Sequence, residues 1–355
     1  MPALKATYAI ASLVLAAGLA HGQPAHNGSE STQARQEQQQ GRRPRQMEAV
    51  ELPAPEVSIT IEGDSRVIRS NGLPAHTTGT FPNSGNPNAI RAQNHEYRIP
   101  LVPQIAAEPS PARPEFGIAL NGVIFDSGTG EFWTPDNPQA FGGGSEWNYE
   151  ALGGGVPLGL DMNHAHVQPT GKYHYHGVPT GLLDELAEHE HEHTHDGDQH
   201  EHADGEHMVQ IGWAFDGFPI YGPYGYSDAG DAHSQLRKLR SSYKLKEGER
   251  PTTPDGPGGA YDGTFGADYE YVEGAGDLDA CNGRFGVTPE FPEGTYYYVV
   301  TEDFPAIPRM WKGTPDASLQ RRGGPPPGGE GRPERGPRPG EDRGQRPPRG
   351  RRPGG

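Results

Sequence analysis

Eighty-nine of the 355 residues are glycine or proline. A chain interrupted that often cannot sustain long helices, because proline removes a helical N–H donor and glycine carries the largest backbone entropy cost. Between the interruptions lie short β-branched or aromatic runs, at 57–61, 66–69, 97–101, 117–120, 212–215, 269–272 and 295–301, each bounded by Gly, Pro, Asn or Asp. This spacing predicts an all-β, single-domain sandwich or barrel with long Gly/Pro-rich loops. Only 182–190 and 234–241 have a helical pattern, and both are short.

The two ends lack the apolar content a core needs. Residues 1–20 read as a secretory signal peptide: Lys5, an apolar run from Tyr8 to Leu19, then small residues, with the run too short to span a bilayer. The expectation is therefore an exported protein, secreted or periplasmic, that is not transmembrane. Residues 21–55 are rich in Gln, Arg, Glu and Pro and read as a disordered linker. Residues 321–355 are an Arg/Pro/Gly tail with ten arginines against four acids, so the rest of the chain holds −23 of the overall −17. That acidic remainder disfavours nucleic acid as a partner and attracts cations. The β domain is expected at 56–320.

Inside it, residues 184–207 form an insertion of another kind. Seven histidines, His189, His191, His193, His195, His200, His202 and His207, stand among ten acidic residues. The segment reads as a polar loop offering weak, exchangeable sites to Zn, Cu or Ni.

The chemistry concentrates in Asn163-His-Ala-His-Val-Gln-Pro-Thr-Gly-Lys-Tyr-His-Tyr-His-Gly177, two His-x-His pairs separated by a turn signal. On a strand, residues two apart share a face, so each pair presents two imidazoles together. Whether the pairs share one face depends on the turn. A two-residue loop would set His166 opposite Tyr173 and send the pairs to opposite faces. A three-residue loop, with Pro169 first and Gly171 in the left-handed position, pairs Gln168 with Lys172, His166 with His174 and His164 with His176. In that register His164, His166, His174 and His176 are the candidate metal ligands, and Tyr173 and Tyr175 fall on the reverse face with Ala165 and Val167. Zinc or copper is the expected ion.

Other residues are candidates for supporting roles or substrate contact. His76 ends a turn and can reach over the hairpin. Asp216 opens a Gly/Pro/Tyr-rich loop and can accept a ligand imidazole's second N–H. Asp277, Asp279, Cys281 and Asn282 form a compact polar cluster, although a lone cysteine is more often simply buried. Gly294-Thr-Tyr-Tyr-Tyr298 echoes Gly171-Lys-Tyr-His-Tyr175 with tyrosine in the histidine's place, a match too short by itself to establish a repeat.

Tyr173-His-Tyr-His176 is the signature of the YHYH domain family, which the sequence resembles from about Asn71 to Pro315. The ordered matches include Asn71-Gly-Leu-Pro-Ala-His76, Asn121-Gly-Val-Ile-Phe125, Asn163-His-Ala-His166, Asp216-Gly-Phe-Pro-Ile-Tyr-Gly-Pro-Tyr-Gly225, Asp277-Leu-Asp-Ala-Cys-Asn-Gly-Arg284 and Ile307-Pro-Arg309. The resemblance implies an exported protein and assigns no activity.

Three functions fit these residues. The first is metal binding at a closed four-histidine site, with the His/Glu segment as an auxiliary store. The second is a metal-dependent enzyme, hydrolase or copper oxidoreductase, in which three histidines hold the ion. The third is a surface module that binds a small molecule, glycan or protein through Trp133, Trp147, Tyr149 and the tyrosines of 221–226. Catalytic residues are not assigned by the sequence.

Overall fold

The structure, a computed structural model, describes residues 48–112, 115–193, 207–317 and 319. The signal-peptide reading, most of the linker and all of the Arg/Pro/Gly tail lie outside these residues. No helix among them is long and apolar enough to cross a membrane.

All seven β-branched or aromatic runs overlap strands, and among the described residues the fold is all-β with one α-helix, α1 (Thr180–His193). The main sheet has eight strands: β1 (Glu115–Ala119), β2 (Ile124–Asp126), β3 (Ala165–Val167), β4 (Tyr173–Tyr175), β5 (Gln210–Ala214), β6 (Pro219–Tyr221), β7 (Gly283–Gly286) and β8 (Thr295–Val299), in the spatial order β7-β8-β6-β5-β1-β2-β4-β3. Its edges are β3 and β7, so the described strands make an open sheet rather than a barrel. A three-stranded antiparallel sheet (Val57–Glu62, Ser65–Ser70, His95–Pro100) forms a second layer. Ile68, Tyr97 and Ile99 from it share one core with Phe116, Ile118, Phe125 and Phe215, and the Tyr97 ring stacks on Phe215 with centroids 4.7 Å apart. Two layers about one core are the sandwich solution that the runs predict.

The strand order reads the same from its centre outward. β1–β2 is an antiparallel pair followed by parallel β4 and antiparallel β3. β5–β6 is likewise followed by parallel β8 and antiparallel β7. The halves meet at β1 and β5, where Ala119 pairs with Gly212 and Gly117 with Ala214. A Cβ on Gly117 would lie 2.6 Å from the Trp213 oxygen, and one on Gly212 would lie 2.6 Å from the Ile118 oxygen, so glycine is required at both mirrored positions.

The correspondence extends to single hydrogen bonds. Asp161 Oδ1 accepts from the amides of Asn163 (2.9 Å) and Ala165 (3.3 Å), and Asp279 Oδ1 from those of Cys281 (2.9 Å) and Gly283 (3.2 Å). Tyr173 Oη donates to Asp161 at 2.7 Å and Tyr296 Oη to Asp279 at 3.0 Å. Tyr175 Oη meets Asn121 at 2.9 Å and Tyr298 Oη meets Asp216 at 2.5 Å. The short echo between 171–175 and 294–298 is thus one stretch of a full structural repeat.

Two local expectations differ from the structure. The helical pattern at 234–241 is a strand, Leu236–Lys238, paired with Tyr224–Tyr226; a short amphipathic segment follows its available edge rather than its own propensity. The insertion, expected as a loop from Asp184, continues α1 through His193. Its first turns have an apolar side, with Leu182 buried and Leu183 and Leu186 packed against the main core, which provides the tertiary support that short helices need.

Candidate metal centre

β3 and β4 form the hairpin with Pro169-Thr170-Gly171 as its loop. Gly171 has φ +88°, its amide bonds the Gln168 oxygen at 2.8 Å, and the Gln168 amide bonds the Lys172 oxygen at 2.9 Å. The resulting register pairs His166 with His174, Val167 with Tyr173 and Ala165 with Tyr175. Tyr173, Tyr175, Ala165 and Val167 are buried on the core side.

His166, His174 and His176 come together on the other side with ligand atoms within 4.8 Å of one another. The His176 Nε2 lies 3.1 Å from that of His166 and 2.9 Å from that of His174. The opposite ring nitrogens are fixed by backbone carbonyls: His166 Nδ1 by Leu158 O at 2.9 Å and His174 Nδ1 by Lys172 O at 3.2 Å. Of His176, Nε2 is the nitrogen that faces the other two rings, and an interaction with the Asp126 backbone raises its basicity against the effect of burial. A carbonyl only accepts, so Nδ1 of His166 and of His174 carries the hydrogen, and each of these neutral rings turns a bare Nε2 lone pair toward Nε2 of His176. With His176 in the same tautomer, three lone pairs face one another and repel unless a cation lies between them. Imidazoles sharing a tetrahedral ion at ~2.0–2.1 Å place their nitrogens roughly 3.3 Å apart, within a few tenths of an ångström of the two separations from His176 Nε2.

The rings are also held neutral. Burial, followed by the other rings of the cluster, moves His174 well below the usual imidazole range; burial, followed by the neighbouring His166, does the same for His176. Burial likewise lowers His166, partly offset by the Leu158 carbonyl and Asp161. Neutral imidazole is the metal-binding form.

His164 stands apart. Its φ is +52°, which takes it out of strand alternation, and its Nδ1 bonds Val178 O at 2.9 Å. Backbone pairing nevertheless continues, the His176 amide reaching His164 O at 2.8 Å. The repeat identifies the cause: the equivalent residue, Asn282, has φ +55° beside the equivalent Asp279. This position is a backbone corner in both halves.

The supporting candidates are not at the centre. His76 is on the reverse face, with Nε2 2.5 Å from Tyr175 Oη. Asp216 is fully buried in the second half, where its carboxylate accepts from Tyr298 Oη, from the Gly313 amide at 2.8 Å and from the Phe218 amide at 3.3 Å. Asp279, Cys281 and Asn282 surround the start of β7, at the far end of the sheet, seven strand spacings or roughly 30 Å away. Burial, then Asp279, pushes the Cys281 thiol up to about 12, which disfavours a free thiolate at neutral pH. The folded protein is accordingly expected to leave a thiol reagent at pH 8 unreacted over hours while the denatured chain consumes one equivalent; prompt reaction of the folded protein would contradict this burial. Of the insertion's histidines, positions 189, 191 and 193 fall within α1, His207 is half-buried just before β5, and 195, 200 and 202 lie outside the described residues.

The centre opens into a cleft of about 390 Å3 lined by residues that include Asn86, Asn88, Asp126, Glu131, Phe141 and Gln168. Asp126 and Gln168 were not anticipated as site residues. Asp126 reaches the hairpin only because β2 pairs in parallel with β4 across a long connection, and Asp126 carries no metal-ligand spacing. Its Oδ2 lies 3.9 Å from His174 Nε2 and accepts from Gln168 Nε2 at 3.2 Å. Burial raises its carboxyl to about 6. Of the aromatic residues of the surface-module reading, Trp133, Trp147, Tyr149 and Tyr221 are buried, while Tyr224 and Tyr226 are half-buried.

A family model described as YHYH protein matches residues 96–313. No curated protein and no solved structure matches the chain.

Proposed function

Since the chain belongs to the YHYH family, we propose that the hairpin bearing the family's signature is a mononuclear transition-metal centre, with zinc or copper held by His166, His174 and His176. The observation that carries the proposal is the cluster of three imidazoles with ligand nitrogens within 4.8 Å of one another, two of the rings fixed at Nδ1 by backbone carbonyls. A closed store needs a fourth protein ligand. The ring that would supply it, His164, is bonded to Val178, and a cleft meets the three remaining nitrogens. This favours an open centre of the kind metalloenzymes use, over static storage. A bound divalent ion there supplies Lewis acidity and lowers the pKa of coordinated water. The chain's own residues orient the ligands, exclude bulk water from two of them and line the approach. The protein is exported in this reading, and the His/Glu-rich segment serves as an auxiliary weak store that concentrates the ion near the centre. Burial of Trp133, Trp147, Tyr149 and Tyr221 counts against a broad aromatic platform for a glycan or protein.

The test is metal content in protein prepared without a histidine tag, with the seven insertion histidines changed to glutamine. One tightly held ion per chain is expected, and none would refute the centre. The ion is also expected to survive a shift to pH 5.5. The lowered basicity of His166, His174 and His176 makes protons poor competitors there, whereas histidines of ordinary pKa near 6.5 are about nine-tenths protonated. Release in step with an ordinary imidazole titration would count against the buried trio as the ligands.

A further inference from the structure

Comparing the two halves of the sheet separates what the hairpin needs in order to fold from what it needs for its chemistry. Asp161 and Asp279, Tyr173 and Tyr296, Tyr175 and Tyr298, and Gly171 and Gly294 do the same work in both halves. The differences cluster around one point. Where the first half has His166, His174 and His176, the second has Arg284, Tyr297 and Val299, with Arg284 Nε 2.6 Å from Tyr297 Oη. Tyr297 and Val299 pack into an apolar cluster with Leu239 and Leu278.

Two further positions change with the ligands. Asp126 corresponds to Tyr221, since Phe125 pairs with Tyr175 as Ile220 pairs with Tyr298. Gln168 corresponds to Phe291, each accepting the amide of the turn glycine three residues on. In the second half both positions are aromatic. In the first they are a carboxylate and the amide that holds it, both lining the cleft.

We propose that Asp126, held by Gln168, is a positioning residue that guards the open face of the trihistidine centre, excluding anions and admitting neutral, hydrogen-bond-donating or cationic ligands. The proposal rests on the reading of His166, His174 and His176 as metal ligands. Three observations support it. The carboxylate is almost fully buried, with Oδ1 fixed by the Gly128 amide at 3.2 Å and Oδ2 by Gln168 at 3.2 Å. Among the described residues no lysine or arginine forms an ion pair with it: Lys172 and Arg309 act on its charge from a distance and are paired with Glu115 and Glu150. Its Oδ2 is 3.9 Å from His174 Nε2, too far for direct bonding and suited to a donor lying between. An anion in that place meets a fixed negative charge in a partly dry cleft, where repulsion at ~5 Å is enough to weaken binding about tenfold to a hundredfold. The class of substrate that follows is neutral or cationic; free carboxylates and phosphates are excluded.

The experiment uses the full chain, free of a histidine tag and with the insertion histidines changed to glutamine, loaded with cobalt(II) and titrated with azide while the visible spectrum is followed. Asp126→Asn is expected to bind azide at least about tenfold more tightly than the parent, with cobalt affinity changed by less than about threefold. Gln168→Leu keeps the carboxylate and is expected to keep azide out. If circular dichroism shows Asp126→Asn to be unfolded, Asp126→Thr provides the same neutral comparison. Equal azide affinity in parent and neutral variant overturns the proposal while leaving the metal centre intact. A large loss of cobalt affinity in the neutral variant also overturns it, by making Asp126 a direct ligand. Failure of the parent to bind cobalt removes the centre itself, and this role with it.

Discussion

His174→Ala is expected to strip the centre of its ion, whereas His164→Asn is expected to leave both ion and fold intact. In small zinc peptides, four ligands share about 10–16 kcal/mol of binding free energy. One imidazole is therefore worth roughly 3 kcal/mol, and its loss weakens affinity by roughly two orders of magnitude, readable by competition with a chromophoric chelator. Thermal unfolding gives an independent measure, because an ion at a thousand times its Kd stabilises the folded state by about 4 kcal/mol. That corresponds to an upward shift of about 10 °C for a domain of this size, and the shift should vanish in His174→Ala. The alanine variant without metal should lose little stability, since it relieves one of three mutually repelling lone pairs. His164→Asn places in the first half the residue that the second half already uses at φ +55°, and asparagine tolerates the left-handed region better than histidine. The reverse outcome, metal lost with His164 and retained without His174, would mean that the ligand set has been misassigned.

How far this centre was legible follows from which forces act locally. The hairpin register could be read because proline and glycine at the ends of a three-residue loop leave one favourable geometry, and a one-residue slip would have turned Tyr173 and Tyr175 out of the core. Strand alternation then misplaced His164, because alternation assumes extended backbone at every residue. The corner is imposed by Asp161, whose carboxylate holds the amides of Asn163 and Ala165. That signal was present twice, in Asp161-Met-Asn-His164 and Asp279-Ala-Cys-Asn282, but the two stretches share only the aspartate, and only coordinates align them. Asp126 was illegible for a different reason: its position beside the hairpin depends on a parallel pairing that no local pattern specifies. The same remoteness explains Asp216, Asp279, Cys281 and Asn282. Their density of polar side chains suggested a site, and it builds the second hairpin's corner instead.

The repeat also explains how one sheet can carry both a rigid frame and an exposed lone-pair cluster. Facing imidazoles without an ion are unfavourable, so the surrounding half-sheet must hold them against that repulsion. Asp161, Tyr173, Asn121 and Tyr175 do this on the core side with bonds that the second half reproduces without any metal. The frame is therefore expected to fold independently of the ion, unlike small zinc modules whose binding energy is their folding energy.

That separation of frame and centre can be tested at the two turn glycines. Gly171 and Gly294 have nearly the same backbone, φ +88° and +89°, so valine at either carries the left-handed strain of a β-branched residue, about 1–3 kcal/mol. Their surroundings differ. A Cβ at Gly171 would lie 2.6 Å from Arg91 Cβ, whereas at Gly294 the nearest atom is the Gly286 oxygen at 3.5 Å. Gly294→Val is therefore expected to lower stability by the strain alone, about 2 kcal/mol, with metal affinity unchanged. Gly171→Val adds a clash with the segment that Gly171 O holds through the Arg91 amide at 2.9 Å, and the loop must shift to relieve it. Because His174 and His176 lie three and five residues beyond that loop, a shift of even a fraction of an ångström spoils their convergence with His166. The expected result is a larger stability loss, about 3–4 kcal/mol by denaturant titration, together with at least a tenfold fall in metal affinity. Equal stability losses at the two glycines, with the ion retained in both variants, would show that the turn does not set the register on which the centre depends.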